Sequence, residues 1–182
     1  MLTLVHRVWR RAATLDALTG LSVRRDFMLQ LDAALQARRH RGAGLLLVRV
    51  RELPAMNQRI GHAATDRLLA AVARVLLAYP RRVKGALTGR LNGADFALYL
   101  PASGLTGETA RSLVDALRAA LATVDQGAEL VIGGVDLPVA IDGAAALSTA
   151  DAALVQAESR GPFAVEILSG KDAHFQAFGM GP

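Results

Sequence analysis

Arg49 and Arg51 are the first residues whose type and spacing suggest chemistry. They close an apolar run, Leu45 to Val50, that reads as a buried strand. Residues two apart on a strand share a face, so two guanidiniums project side by side. Such forks can grip phosphate oxygens without a metal; the same pair can instead meet Asp95 or lie solvated on the surface. His62 invites an acid–base role, but it follows Gly61 in a turn and no carboxylate stands at a hydrolase-like spacing, which makes it structural. Asn92-Gly93 separates the runs Ala86–Leu91 and Asp95–Leu100. That pair is preferred in a two-residue type I′ hairpin turn, because both residues accept positive φ, and such a turn needs no chemistry to explain it. The chain has no cysteine, which removes disulfides and thiolate metal sites and fits a reducing compartment.

The elements that must position these residues follow from periodicity. Leu2, Val5, Trp9 and Ala12 recur at spacings of three and four with basic residues opposite, which predicts an N-terminal amphipathic helix over residues 1–15. Asp16 to Gly20 is a turn, and a helix follows from Ser22 to Arg39 with Phe27, Leu31 and Leu35 inward. After the strand at Leu45–Val50, Pro54 opens a short helix, as proline does in a first turn, and Gly61-His62 breaks it. Ala63 to Leu77 is the next helix, with Pro80 as its stop. The hairpin comes next, then a helix at Thr106–Ala122, a strand at Leu130–Val135, a helix at Thr149–Ser159 and a strand at Phe163–Leu168. From Gly170 the pattern fades into a tail or linker. Helices alternating with strands around one tight hairpin give an α/β fold with a mixed central sheet flanked by helices.

Composition narrows the function classes. At 182 residues and 52% hydrophobic content the chain can bury a core and is not a disordered segment. The formal charge of +5 admits nucleic acid or an anionic membrane surface. The arginines are scattered, however, and no RNA-binding aromatic pair or zinc-finger spacing accompanies them, so nucleic acid is not expected. No apolar stretch is long enough for a transmembrane segment, and His6, Arg7, Arg10 and Arg11 occupy the place where a signal peptide needs an apolar centre.

Four segments, in order, resemble the GGDEF family of diguanylate cyclases. Asp16 to Arg25 (DALTGLSVRR) is similar to the opening motif D-x-L-T-G-L-x-N-R-R, with Val23 in place of asparagine. Asn57 to Asp66 (NQRIGHAATD) is similar to N-D-x-x-G-H-x-x-G-D. Gly89 to Phe96 (GRLNGADF) is similar to the signature hairpin, and Ala150 to Leu154 (ADAAL) to the late A-D-x-A-L-Y helix. The resemblance spans Asp16 to Ile167 and implies a nucleotide cyclase-like, palm-like fold.

The same resemblance shows where this chain departs. The family joins two GTP molecules with metal-bound carboxylates, one from a D-x-D pair on the first core strand and one from the third position of the signature turn. Here those positions hold Arg49, Arg51 and Ala94. Magnesium wants hard oxygen ligands, and two guanidiniums repel it, so neither metal nor any other cofactor is expected. The late-helix lysine and arginine are replaced by Glu158 and Pro162, with Arg160 out of register, and the product-inhibition motif R-x-x-D is absent from Val83–Ala86. Signature positions Asn92, Gly93, Asp95 and Phe96 remain. Asn57 and Asp66 match the positions that hydrogen-bond guanine in active relatives; alternatively they serve only as helix-end residues.

The implied protein is therefore a degenerate GGDEF domain over residues 16–169, without catalytic residues. It would act as a regulatory relay in bacterial cyclic di-GMP signalling, with GTP as a possible ligand. The expected partners are an EAL-type domain in the same or a partner chain, and a second copy joined through the N-terminal helix. Its expected place is the cytoplasm, including as the cytoplasmic part of a membrane-anchored protein.

Overall fold

The computed structural model describes residues 14–38 and 41–170. Residues 1–13 of the helix expected over residues 1–15, the dimer contact expected from it, and the tail beyond Gly170 lie outside the described residues. The elements in chain order are β1 (Ser22–Val23), α1 (Arg24–Ala37), β2 (Ala43–Val50), α2 (Leu53–Ile60), α3 (His62–Arg82), β3 (Leu87–Arg90), β4 (Asp95–Leu100), α4 (Thr106–Ala122), β5 (Leu130–Leu137), α5 (Gly143–Arg160) and β6 (Val165–Ser169). The sheet runs β1-β3-β4-β2-β5-β6. Its inner pairs are antiparallel, and the two edge pairs, β1 with β3 and β5 with β6, are parallel. The expected mixed sheet flanked by helices is what forms.

Period-two alternation divides the core. Leu46, Val48 and Val50 of β2 join Phe96, Leu98, Leu130 and Ile132 beneath α3 and α4. Leu45 and Leu47 face the other way, with Tyr99, Val131 and Val135, beneath α1 and α5. Both faces of β2 are covered, which is why its sequence is a continuous apolar run that breaks only at Arg49.

Several boundaries differ from expectation. A two-residue strand precedes α1, pairing Ser22 with Gly89 and Val23 with Arg90, so the helix begins at Arg24. Pro80 does not stop α3, which runs on to Arg82 and closes with Val83 N donating to Tyr79 O at 2.7 Å. The proline gives up the bond its own N–H would make to Leu76 and crowds that carbonyl, yet the last turn still closes. Helix α5 begins at Gly143, six residues earlier than the Thr149 that periodicity gave. Asp142 caps it by accepting from Ala145 N at 2.8 Å, and Asp32 of α1 accepts from Gly143 N at 2.9 Å.

The hairpin forms, but its turn is not type I′. Leu91 N donates to Asp95 O at 2.8 Å, leaving Asn92, Gly93 and Ala94 as a three-residue loop in which neither Asn92 nor Gly93 has positive φ. Asn92 Oδ1 accepts from the N–H groups of Ala94 and Asp95, each at 3.0 Å, so its side chain folds the loop in place of left-handed backbone.

Candidate functional site

The hairpin loop stands over the start of α2. A Cβ on Gly93 would lie 3.7 Å from Leu53 Cδ2, an ordinary contact. Since Gly93 also lacks positive φ, Gly93→Ala should change stability by less than about 0.5 kcal/mol in urea melts; a loss above about 1 kcal/mol, the scale of a residue forced out of its backbone preference, would contradict this turn geometry. Arg90 fastens the opening turn to the loop. It donates to Asp16 Oδ2 at 3.0 Å, to Asn92 O at 3.2 Å and to Gly93 O at 3.0 Å. Burial alone would raise the Asp16 pKa, but hydrogen bonds from Thr19 and Arg90 outweigh it and hold the carboxyl low.

Beside this loop, one guanidinium gathers three carboxylates. Arg49 on β2 makes a two-pronged pair with Asp95 on β4, at 2.7 and 2.8 Å, and reaches Glu158 on α5 at 3.0 Å. Asp151, about two turns earlier on α5, lies 3.9 Å from the same group. The sheet order explains the meeting: β4 is the neighbour of β2, and α5 packs over the β2 and β5 face. Asn92 Nδ2 adds a 2.8 Å bond to Asp95 Oδ2. Hydrogen bonding to Asp95 raises the Arg49 pKa despite burial, with Glu158 adding to it. Burial pushes Asp95 up, but Arg49, Asn92 and the field of Arg24 together bring it below the usual carboxylate value.

That shift has a consequence for acid stability. A carboxyl with a depressed folded pKa contributes stability that is fully present above its unfolded value, about 3.9, and is lost as pH falls through the folded pKa. The urea midpoint should therefore drop below about pH 4, and Asp95→Asn should flatten that acid limb. An acid limb unchanged in the Asn variant would show that Asp95 does not supply it.

Arg51 goes to the other side of the strand. Its guanidinium pairs with Glu129 at 2.9 Å, and its N–H donates to Glu129 O at 2.9 Å. A small pocket lies there, lined by Arg51, Glu52, Ala55, Arg59 and Glu129 among others. The two arginines thus separate onto different carboxylates and do not form one paired claw. Asn57 on α2 is half-buried and Asp66 on α3 is exposed, on either side of Gly61. Among the described residues, neither side chain is recorded with a hydrogen-bond or ion-pair partner. His62 is exposed at the first position of α3. Pro162 is exposed after Gly161, and Arg160 pairs with Glu166 at 2.8 Å, away from Arg49.

The donor set does not fit a divalent cation. Among the described residues no group of three His, Asp or Glu is arranged to hold one, the central position carries a guanidinium, and Ala94 has no ligand atom. Glu129, Asp151 and the Asp16–Arg90 pair are the members that sequence reasoning missed. Asp16, Arg90 and Asp151 stand in the motif segments, but nothing local shows which residue each of them meets.

Comparison with known proteins assigns the fold. Residues 13–162 match the protein family described as diguanylate cyclase, GGDEF domain. This chain belongs to the GGDEF family. The diguanylate cyclase DgcM of Escherichia coli K12 is 34% identical, with 68% of this chain and 32% of that protein covered. The GGDEF domain described here spans 55% and 32% of the lengths of two curated relatives. A structure of the coiled coil and GGDEF domain of DgcB from Caulobacter crescentus, in complex with c-di-GMP, superimposes with a TM-score of 0.80 over 92% of each chain at 23% identity. The S helix-GGDEF-EAL structure of Vibrio cholerae LapD superimposes with a TM-score of 0.72 at 19% identity, covering 92% of this chain and 39% of that one. At those identities the likeness is one of fold. In this GGDEF domain no helix among the described residues is long and apolar enough to cross a membrane.

Proposed function

We propose that this GGDEF domain is a non-catalytic regulatory module in bacterial cyclic di-GMP signalling, relaying a signal to an EAL-type output domain in the same or a partner chain. The Arg49 cluster carries the reading. The family resemblance puts a metal-binding carboxylate at position 49 and a phosphate-binding lysine at position 158; this chain has arginine and glutamate there, bonded to each other at 3.0 Å. Both charges are reversed together, so an ion pair spans β2 and α5 with polarity opposite to what metal and phosphate require. Phosphoryl transfer of this kind rests on positioning and on neutralising phosphate charge. With Arg49 facing Asp95, and Ala94 at the signature carboxylate position, that neutralisation has no source. Purified protein given GTP and magnesium should form no cyclic di-GMP, and clear turnover removes the reading.

In this proposal residues 1–15 are the connecting helix, 16–169 the domain and 170–182 a tail or linker. Dimerisation belongs to the first of these. Sedimentation should find a dimer for the whole chain and a monomer for one beginning at Thr14; identical behaviour of the two would place the contact elsewhere.

A second reading, a GTP-binding switch without cyclase activity, is favoured by one observation. Among the described residues the side-chain polar groups of Asn57 and Asp66 have no hydrogen-bond or ion-pair partner, which leaves them for a ligand. An amide and a carboxylate complement the donors and acceptors of guanine.

A further inference from the structure

We infer that the segment after β6, residues 171–182, docks back into an apolar groove between α1 and the loop that leads into α5, with Phe175 and Phe178 as its anchors. From the proposed function this takes only that the segment is a tail or linker, and it stands whether or not the domain turns over GTP. The groove encloses about 460 Å³ and is lined by Leu35 of α1 and by Val139 and Ile141 of the loop, among others, together with Asp32 and Asp142. A space of that size takes a drug-sized apolar group. Leu35 is buried in the core beneath α1 and α5 and Ile141 packs against that core, whereas Val139 is 62% exposed. An apolar side chain left in water on the wall of such a groove gains from being covered.

The chain itself points to the occupant. β6 ends beside this loop: a Cβ on Gly170 would lie 3.2 Å from Leu137 Cδ2 and 3.4 Å from Pro138 Cδ, and Val139 is the next residue of the loop. Phe175 follows five residues later, a reach of up to about 17 Å. That exceeds the roughly 8–10 Å between packed helices, so the ring can cross from Pro138 to Leu35. The segment does not have the composition of a solvated linker. Phe175, Phe178 and Met180 are apolar, and Lys171 and Asp172 are its only charged residues. Phe175 and Phe178 are three apart, a spacing that one helical turn puts on one side. Asp32 and Asp142 each spend Oδ1 on a backbone N–H at the start of α5, and Lys171 and His174 bring donors for the oxygens left over. Tethering raises the local concentration of the segment to roughly millimolar, so a modest apolar contact suffices. An occupied groove bears on both residues that begin α5, the helix whose last turn holds Glu158 and with it the Arg49 cluster.

Hydrogen exchange and cross-linking on the whole chain test this. The amides of Ile141 to Leu147 should exchange at least about fivefold more slowly in the unaltered protein than in one carrying Phe175→Ser and Phe178→Ser. The absence of cysteine makes introduced pairs unambiguous. Val139→Cys with Gln176→Cys should close a disulfide within one molecule at least about tenfold faster than Val155→Cys with Gln176→Cys. Val155 is the comparison because it is also exposed, about 18 Å along α5 from its start. Equal exchange in the two proteins, or equal closure by the two pairs, would overturn the inference. Bridging that occurs only between molecules and quickens with protein concentration would also overturn it, and would give the groove to a second copy. Neither measurement reads turnover of GTP, so a failure here leaves the proposed loss of catalysis where it stands.

Discussion

Alanine at position 133 is expected to cost at least about 3 kcal/mol of stability, the scale of severe core overpacking. Gly133 lies in β5 directly under α5. A Cβ there would overlap the backbone nitrogen and Cα of Leu154 and come within 2.7 Å of the Ala153 carbonyl carbon. Those are backbone atoms in the middle of a helix, so no rotamer change relieves the clash, and α5 must lift off the sheet. Ala150, Ala153, Leu154 and Ala157 are buried along that contact, so lifting the helix exposes all four. The end of α5 carries Glu158, so the Arg49 cluster should open in the same variant. Urea unfolding measures the loss. A Gly133→Ala protein within about 1 kcal/mol of the parent would show that α5 does not rest on β5 backbone to backbone.

The second large effect is expected at Arg49. Removing one partner of a fully buried ion pair costs about 3–5 kcal/mol, because the other charge is left uncompensated. Here the Asp95 side chain is only 11% exposed while that of Arg49 is 25% exposed and that of Glu158 36%. Solvent screens the Glu158 arm and much less of the Asp95 arm. Arg49→Ala should therefore cost about 2 kcal/mol, less than a fully buried pair and more than a surface one. The sign of the cycle distinguishes the arms. Adding Asp95→Asn to Arg49→Ala should recover part of the loss, because the stranded charge is removed, whereas adding Glu158→Gln should recover little. Full additivity of the Arg49 and Asp95 changes would mean that the two-pronged contact contributes no coupling.

How much of this was legible beforehand differs between fold and site. The sheet was, because β2 is apolar on both faces and the strands around it alternate or run apolar. The four ordered motifs then fixed which α/β fold it is. The start of α5 was not legible: Gly143-Ala144-Ala145-Ala146 has no contrast between faces, and what begins the helix is partly Asp32, 111 residues away. The hairpin was legible and its turn was not, since Asn92 can serve a turn either through left-handed backbone or through its side-chain oxygen, and the sequence is the same in both cases. Pro80 misled because a proline weakens a helix without always ending it: α3 runs two residues past it to Arg82.

At the site, the pairing of Arg49 with Asp95 was among the open alternatives, and the contact that distinguishes this domain was not. Glu158 stands 109 residues from Arg49, and only the sheet order with α5 packed across it brings them together. Taken separately, the family resemblance implies a lost metal ligand at Arg49 and a lost phosphate ligand at Glu158; in space the two residues form one ion pair. The partnership of Arg51 with Glu129 had no signal at all, because Glu129 precedes β5 in a segment without pattern.

The central claim, that this domain regulates without catalysing, meets its most direct test in turnover. The purified chain would be incubated with GTP and magnesium beside an active GGDEF domain, and the products separated by chromatography and weighed by mass spectrometry. With Arg49 bound by Asp95 and Glu158, and Ala94 in the signature turn, the expected result is unchanged GTP and no cyclic di-GMP while the active domain converts its substrate. Formation of cyclic di-GMP by the unaltered chain, lost on heating it, would contradict the account.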